Sequence, residues 1–175
     1  MIEANGPGDV SLGSDDRARA VVAVKAALDL TLMDHDDLLA ALAETALGLA
    51  EQFLGQMLIA RTITVTLPVT SGWQRLGVLP VQAITGVMGV AADGMTSPLS
   101  ALGYEIDIMR GEGWLRLRDA GSAVRVTAQV TAGLAADWDT IPSAIRQGAV
   151  MLAAYLFSER DIVELRHQRH RSSKS

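Results

Sequence analysis

The sequence predicts an α+β fold in which N-terminal helices and a C-terminal helix pack with an inserted antiparallel β-sheet of about five strands, followed by a flexible basic C-terminal tail. Two observations favour this fold. Apolar residues recur with a helical period up to residue 57 and again after residue 142, and they alternate as in strands between residues 59 and 131. The 175-residue chain is also 49% hydrophobic, which is enough for one domain with a core.

Two helices are predicted in the first third of the chain. Residues 1–14 combine Gly and Pro with little apolar periodicity, and this is typical of a flexible arm. Ser14 can cap a helix over residues 15–28, and Asp34 can cap a second helix over residues 34–57. The second helix carries the clearest apolar stripe, formed by Leu39, Leu42, Ala46, Leu49, Phe53 and Met57.

The β-rich insertion is predicted over residues 59–131. Thr alternates with Ile, Val and Leu from Arg61 to Leu67, which indicates a half-buried strand that Pro68 ends. Four further extended stretches lie at hairpin-like spacing, with a turn at Ala92-Asp93-Gly94 after the first of them. They begin near residues 78, 104, 114 and 124.

The last predicted helix covers residues 142–160. Pro142 suits its first position, and Ile145, Ala149, Leu152 and Leu156 form its apolar stripe. The chain is therefore divided into an arm (1–14), a domain (15–160) and a basic tail (161–175).

Composition excludes several classes of protein. The sequence has no cysteine, so it has no disulfide scaffold, zinc–thiolate site or thiol nucleophile. The formal net charge of −5 argues against a dedicated duplex-DNA binder. The longest apolar run, Gly148–Phe157, is too short to cross a bilayer, and the acidic, Gly-rich N-terminus does not resemble a secretory signal. We therefore expect an intracellular protein with no membrane partner.

Two groups of residues could bind a metal ion, and a simpler interpretation is favoured for both. Asp34, His35, Asp36 and Asp37 are consecutive, whereas calcium loops spread their ligands around a Gly, so these acids are expected to cap a helix. His167 and His170 have helical spacing but no third ligand, and they are expected to be solvated tail residues. No metal or other cofactor is predicted.

The sequence does not predict an enzyme. All three histidines lie outside the β-rich insertion, and no Gly-x-Ser-x-Gly elbow, Walker loop or Gly-x-Gly-x-x-Gly motif occurs. Glu105 and Asp107 share one face of a predicted strand and are the one candidate acid–base pair. Alternation places both outward, which favours a solvated sheet face.

The segment from Arg160 to Arg171 has two interpretations at this point. It can be the fraying end of a helix, with basic residues placed favourably near the C-terminus. It can also be a segment that becomes ordered on a partner, using arginines and the apolar side chains of Ile162, Val163 and Leu165.

A set of short motifs between about residues 20 and 160 occurs in an order found in one group of proteins. The best of them is Ile141-Pro142-Ser143-Ala144-Ile145-Arg146-Gln147. The others are Ala50-Glu51…Gly55…Leu58-Ile59…Thr62, Leu79-Pro80-Val81-Gln82-Ala83-Ile84, Gly113-Trp114-Leu115-Arg116, Thr131-Ala132-Gly133, and the closing Leu152, Ala154 and Arg160. With these motifs the chain resembles the head–tail connector (adaptor) proteins of long-tailed phages, in their larger form with a sheet inserted between helices, or the equivalent adaptors of phage-like gene transfer agents.

The resemblance implies a structural role in the neck of a phage or phage-like particle assembled in the bacterial cytoplasm. Such adaptors form a ring, typically of twelve copies, beneath the portal protein. The ring extends the DNA channel and supports the next tail-side ring, a stopper or tail-completion protein, and DNA passes through without sequence-specific binding. The C-terminal segment would reach the portal here with Arg160, Ile162, Val163, Leu165, Arg166, Arg169 and Arg171. The alternatives are a stopper or tail-completion protein or another interaction module such as a regulatory subunit. An enzyme that uses Glu105 and Asp107 is the least favoured alternative.

Overall fold

The computed structural model describes residues 6–31 and 35–172, with the backbone alone over residues 161–172. Three helices and two antiparallel sheets confirm the predicted α+β class. The helices are α1 (Ser14–Leu28), α2 (Asp36–Leu54) and α3 (Ser143–Ser172). The strands are β1 (Arg61–Pro68), β2 (Gln74–Arg75), β3 (Val81–Val90), β4 (Thr96–Pro98), β5 (Tyr104–Met109), β6 (Glu112–Leu117) and β7 (Arg125–Ala132).

The described residues contain seven strands in two sheets, where about five strands in one sheet were predicted. The larger sheet has the order β1-β7-β3-β4 and the smaller one β2-β6-β5. β2 and β4 are two and three residues long, too short for an alternating pattern to reveal them. The predicted turn at Ala92-Asp93-Gly94 is confirmed between β3 and β4.

The molecule has two hydrophobic cores. The helices α1, α2 and α3 pack against one another in all three pairs and enclose the first core. The second core lies between the sheets, where the inner face of β6 (Leu115 and Leu117) packs with apolar residues of β1, β3 and β7. β1 of the larger sheet alternates as expected, since Ile63, Val65 and Leu67 are buried.

The helix ends differ in detail from the predictions. Gly13, not Ser14, occupies the N-cap of α1, and the Ser14 hydroxyl contacts the Asp15 carboxylate instead. His35 precedes α2, while the predicted cap Asp34 lies outside the described residues. Pro142 lies just before α3, where its carbonyl accepts the first helical hydrogen bond from the Arg146 N–H.

α2 also ends earlier than predicted. Gly55 adopts a left-handed conformation with φ of 65°, which stops the helix after Leu54. Met57 therefore leaves the helical stripe, and it is fully buried in the core between the sheets.

A buried ion pair joins the helices to the larger sheet. The carboxylate of Glu51 on α2 is fully buried, and it accepts two hydrogen bonds from the guanidinium of Arg61 on β1, at 2.9 and 2.8 Å. It also accepts hydrogen bonds from the backbone N–H groups of Leu58 (2.7 Å) and Gly8 (2.9 Å). Burial alone would raise the pKa of Glu51, but these hydrogen bonds and the charge of Arg61 outweigh it and hold the pKa below its ordinary value.

Residues 6–13, which belong to the predicted arm, lie along α2. Besides the Gly8 contact with Glu51, the Leu12 N–H donates to the Glu44 carboxylate at 3.0 Å, and the Leu12 side chain is buried in the helical core. Two carboxylates of α2 thus hold this part of the arm on the domain.

Candidate interaction surfaces

An open apolar groove runs between α2 and α3. It has a volume of about 700 Å³, and no charged residue lines it. Small residues form its floor, among them Ala46 and Ala50 on α2 and Gly148 and Ala149 on α3. Phe53, whose side chain is 90% exposed, stands at its rim beside Leu49. A groove of this composition is suited to bind an apolar element of a partner.

The groove contains part of each stripe that the sequence predicts as core. In the predicted stripe of α2, Leu39 and Ala46 are buried in the helical core as expected, whereas Leu49 and Phe53 are exposed. Ala43 and Leu47, outside the predicted stripe, are buried in the same core. On α3, Ile145 and Leu152 of the predicted stripe line the groove. Each helix therefore has a second apolar face beyond the one that the bundle covers.

The outer face of the smaller sheet is a second surface with the composition of an interface. Trp73 is 44% exposed, and the guanidinium of Arg116 lies 5.1 Å from the centroid of its ring. A cleft of about 540 Å³ separates Trp73 from Trp114 and Met109. Trp and Arg are enriched among the residues that dominate binding energy in interfaces. Sequence analysis missed this surface, although the alternation of Trp114 and Arg116 on β6 could have indicated it.

Glu105 and Asp107 lie on the same outer face. Glu105 forms ion pairs with both Arg116 and Arg118, and its Oε2 accepts a hydrogen bond from the Arg116 Nε at 2.6 Å. The hydrogen bond from Arg118 is the main cause that holds the pKa of Glu105 below its ordinary value, with Arg116 adding to it. A carboxylate held ionised by two arginines is suited to fix the sheet surface rather than to exchange protons.

The described residues of the Asp34–Asp37 group, His35, Asp36 and Asp37, lie at the start of α2. Asp36 pairs with Lys25 of α1, the His35 ring packs edge-on against Phe157 of α3, and Asp37 lies in the first turn of α2, as predicted. Among the described residues, no group of three or more His, Asp or Glu side chains could hold a metal ion.

The residues predicted to meet the portal lie along the C-terminal half of α3. Arg160 is exposed on this helix. The backbone of α3 continues as a helix to Ser172, whereas the side chains of Ile162, Val163, Leu165, Arg166, Arg169 and Arg171, like those of His167 and His170, lie outside the described residues. Their contacts stay a prediction.

Within the part of the chain that the structure describes, no helix combines the length and the apolar character that crossing a bilayer requires.

Comparison with solved structures finds the same fold in particle necks. A chain in the neck of an empty gene transfer agent (GTA) particle computed with C6 symmetry superposes with a TM-score of 0.69, and a chain in the neck of a native GTA particle computed with C12 symmetry with 0.68. A chain in the virion of a native GTA particle gives 0.67. Each is 22% identical, and the matches cover 90% of this chain and 83–84% of those chains.

No protein-family model and no curated protein sequence matches the chain. The structural matches nevertheless extend over both the helical bundle and the sheets, because they leave only a tenth of the chain uncovered. The resemblance predicted from the sequence is thus confirmed in the fold: the chain folds like chains found in the necks of gene transfer agent particles.

Proposed function

We propose that this protein is a structural component of the neck of a phage-like particle, where it forms a head-to-tail adaptor ring beneath the portal. In this role it extends the DNA channel and supports the next tail-side ring, and it acts through its shape and its contacts without catalysis.

The fold match over 90% of the chain is the observation that carries the proposal. The matched neck structures were computed with C6 and C12 symmetry, so the same fold occurs in assemblies with rotational symmetry. A ring of this kind needs two different surfaces on each subunit, one for each neighbour. The open groove and the Trp–Arg face supply apolar and aromatic surface that the isolated chain leaves uncovered.

The extension of α3 supports a contact with a second ring. Among the α3 residues whose burial the structure describes, Phe157 is the last buried one, and the helical backbone continues for fifteen residues to Ser172. At 1.5 Å per residue, this extension reaches about 22 Å beyond Phe157. It contains Arg160, Arg166, Arg169 and Arg171, which can pair with carboxylates on a portal surface.

The charge of the chain agrees with passage of DNA through the ring. With a net charge of −5, the subunit as a whole repels the phosphates of the sliding DNA rather than holding them.

Native mass spectrometry of the purified chain, alone and mixed with the portal protein of the same particle, tests the proposal. We expect a ring of twelve 18.5 kDa subunits, about 222 kDa in total, alone or on the portal. A chain that stays monomeric in both conditions would contradict the proposal. Binding to a tail-side protein but not to the portal would instead identify a stopper or tail-completion protein and would overturn the adaptor assignment.

A further inference from the structure

The two sides of the helical bundle offer different apolar surfaces. The α2–α3 groove is lined by residues of α2 and α3 only. Because α1 packs against both of these helices, the groove opens on the side of the bundle away from α1. On the opposite side, the outer face of α1 exposes Ala18, Val22 and Ala26, with Val22 68% exposed.

The outer face of α1 has the shape that the groove can accept. Ala18, Val22 and Ala26 are spaced by four residues, so they form one continuous ridge along the helix. Two alanines flank a single branched side chain in this ridge, and the floor of the groove is made of Ala and Gly. Small residues on both sides allow helix backbones to approach closely.

No charged residue lines the groove. Two of the basic residues beside the ridge are paired within their own subunit, since Lys25 contacts Asp36 of α2 and Arg19 contacts two carboxylates. Arg19, which is next to the α1 ridge, is already engaged within its own subunit, since its Nη1 lies 3.5 Å from Asp16 and 3.3 Å from Asp139. Docking of the ridge therefore brings no unpaired charge from Arg19 into the groove.

The C-terminal segment of the same chain cannot cover the groove. α3 contributes the groove residues from Ile145 to Leu152, and it then continues as one helix to Ser172. Over the twenty residues after Leu152 the helix moves about 30 Å along its axis, away from the groove. The described part of α3 thus leaves the groove open to an element of another chain.

We infer that the groove between α2 and α3 receives the outer face of α1 (Ala18, Val22 and Ala26) of a second copy of this chain. The inference rests on the ring proposed above. A groove on one side and a ridge on the other form a heterologous contact, and a heterologous contact repeated by rotation closes into a ring. The solved neck structures with this fold, computed with C6 and C12 symmetry, are the reason for choosing a second copy as the occupant.

Disulfide cross-linking tests this contact, because the natural chain has no cysteine. The double variant V22C/L152C places one thiol on the ridge and one in the groove. Oxidised in the assembled state, alone or on the portal, it is expected to give a ladder of covalent oligomers up to the full ring. The matched control V22C/M95C carries its second thiol on a residue that is 71% exposed in the β-rich insertion, and it is expected to give no ladder.

A second variant separates loss of the contact from loss of the fold. Val22→Arg changes an exposed residue, so we expect an unchanged thermal melt of the subunit together with loss of the ring. Met95→Arg, the control, is expected to leave both the thermal melt and the ring unchanged.

A ring that forms without the V22C/L152C ladder would overturn this inference and leave the proposed function standing. Covalent dimers of the single variant V22C would show a symmetric α1–α1 contact and would also overturn the inference. The inference would likewise fail if the portal alone protected the L152C thiol from modification, because the portal would then cover the groove. A monomer under all conditions would overturn both proposals.

Discussion

Glu51 is the residue that joins three parts of the molecule, because its carboxylate binds Arg61 of β1, the backbone after α2, and Gly8 of the N-terminal segment. Glu51→Gln keeps the size of the side chain but removes the buried carboxylate charge that the half-buried Arg61 guanidinium contacts at 2.8 and 2.9 Å. Removing one partner of a buried pair costs about 3–5 kcal/mol, so we expect a loss of this size in the free energy of unfolding. Urea denaturation measures it.

Glu44→Gln is the matched control for this substitution. Glu44 is half-buried on the same helix and accepts one hydrogen bond, from the backbone N–H of Leu12. Among the described residues, no ion pair is formed by Glu44. We expect it to cost less than about 1.5 kcal/mol, the usual net value of one hydrogen bond. Equal losses for the two variants would contradict the role assigned to the Glu51–Arg61 pair.

The lowered pKa of Glu51 predicts a dependence of stability on pH. The unfolded chain takes up a proton at the ordinary carboxyl pKa, whereas the folded chain resists protonation until a lower pH. The stabilisation is therefore complete above the ordinary carboxyl pKa and is lost as the pH falls through the lower pKa of the folded state. In this acid range the free energy of unfolding of the wild type should fall more steeply with pH than that of Glu51→Gln. Parallel pH profiles of the two proteins would contradict the assigned effect of the Glu51 pKa.

Gly48 controls the approach of the N-terminal segment to α2. A Cβ on Gly48 would lie 2.6 Å from the carbonyl oxygen of Gly8, so Gly48→Ala forces the segment off the helix. Ala favours the helix by about 1 kcal/mol, and the substitution thus loosens the segment without weakening α2. We expect faster proteolysis within residues 6–13.

Gly148→Ala is the control for Gly48→Ala, because a Cβ on Gly148 of α3 meets nothing within 4 Å. It should leave the cleavage rate in residues 6–13 unchanged. Equal rates for Gly48→Ala and wild type would show that the segment does not depend on this close approach.

At the scale of the elements, the C-terminal extension of α3 can be separated from the fold. Truncation after Arg160 keeps every α3 residue that the structure describes as buried, since the last of these is Phe157. The free energy of unfolding should change by less than about 1 kcal/mol, whereas portal binding should weaken at least about tenfold.

The triple variant R166A/R169A/R171A tests the ion pairs of the extension. At low salt it should lose most of the portal affinity that the truncation loses, because ion pairs contribute most where salt does not screen them. Equal portal binding by the truncated chain would remove the extension from the mechanism.

Apolar periodicity in the sequence predicts which face of an element is apolar, and this explains which predictions were confirmed and which were wrong. β1 was predicted almost to the residue, because Thr alternates with apolar residues and Pro68 follows. The helical stripes were also found, but periodicity identifies an apolar face without saying what covers it. Leu49 and Phe53 therefore looked like core residues and proved to line an open groove. The fully buried Glu51 was noted only within a motif, because a charged residue gives no sign in sequence of a buried partner ten residues away.

At the scale of the whole molecule, the uncovered surfaces are the features that the isolated fold does not explain. The exposed Phe53 and Val22 lie on opposite sides of the helical bundle, and Trp73 lies on the outer face of the smaller sheet. A chain that worked alone would be expected to cover such surface or to replace it with polar residues. In the proposed ring, each subunit contacts two neighbours and two stacked rings, and these contacts would cover the exposed surfaces.

The decisive experiment is to image the neck of purified particles by cryo-electron microscopy, with this chain labelled by a small C-terminal tag. We expect a closed ring of this chain between portal and tail, with α3 pointing towards the portal. Particles whose neck is complete and contains no density for this chain would contradict it.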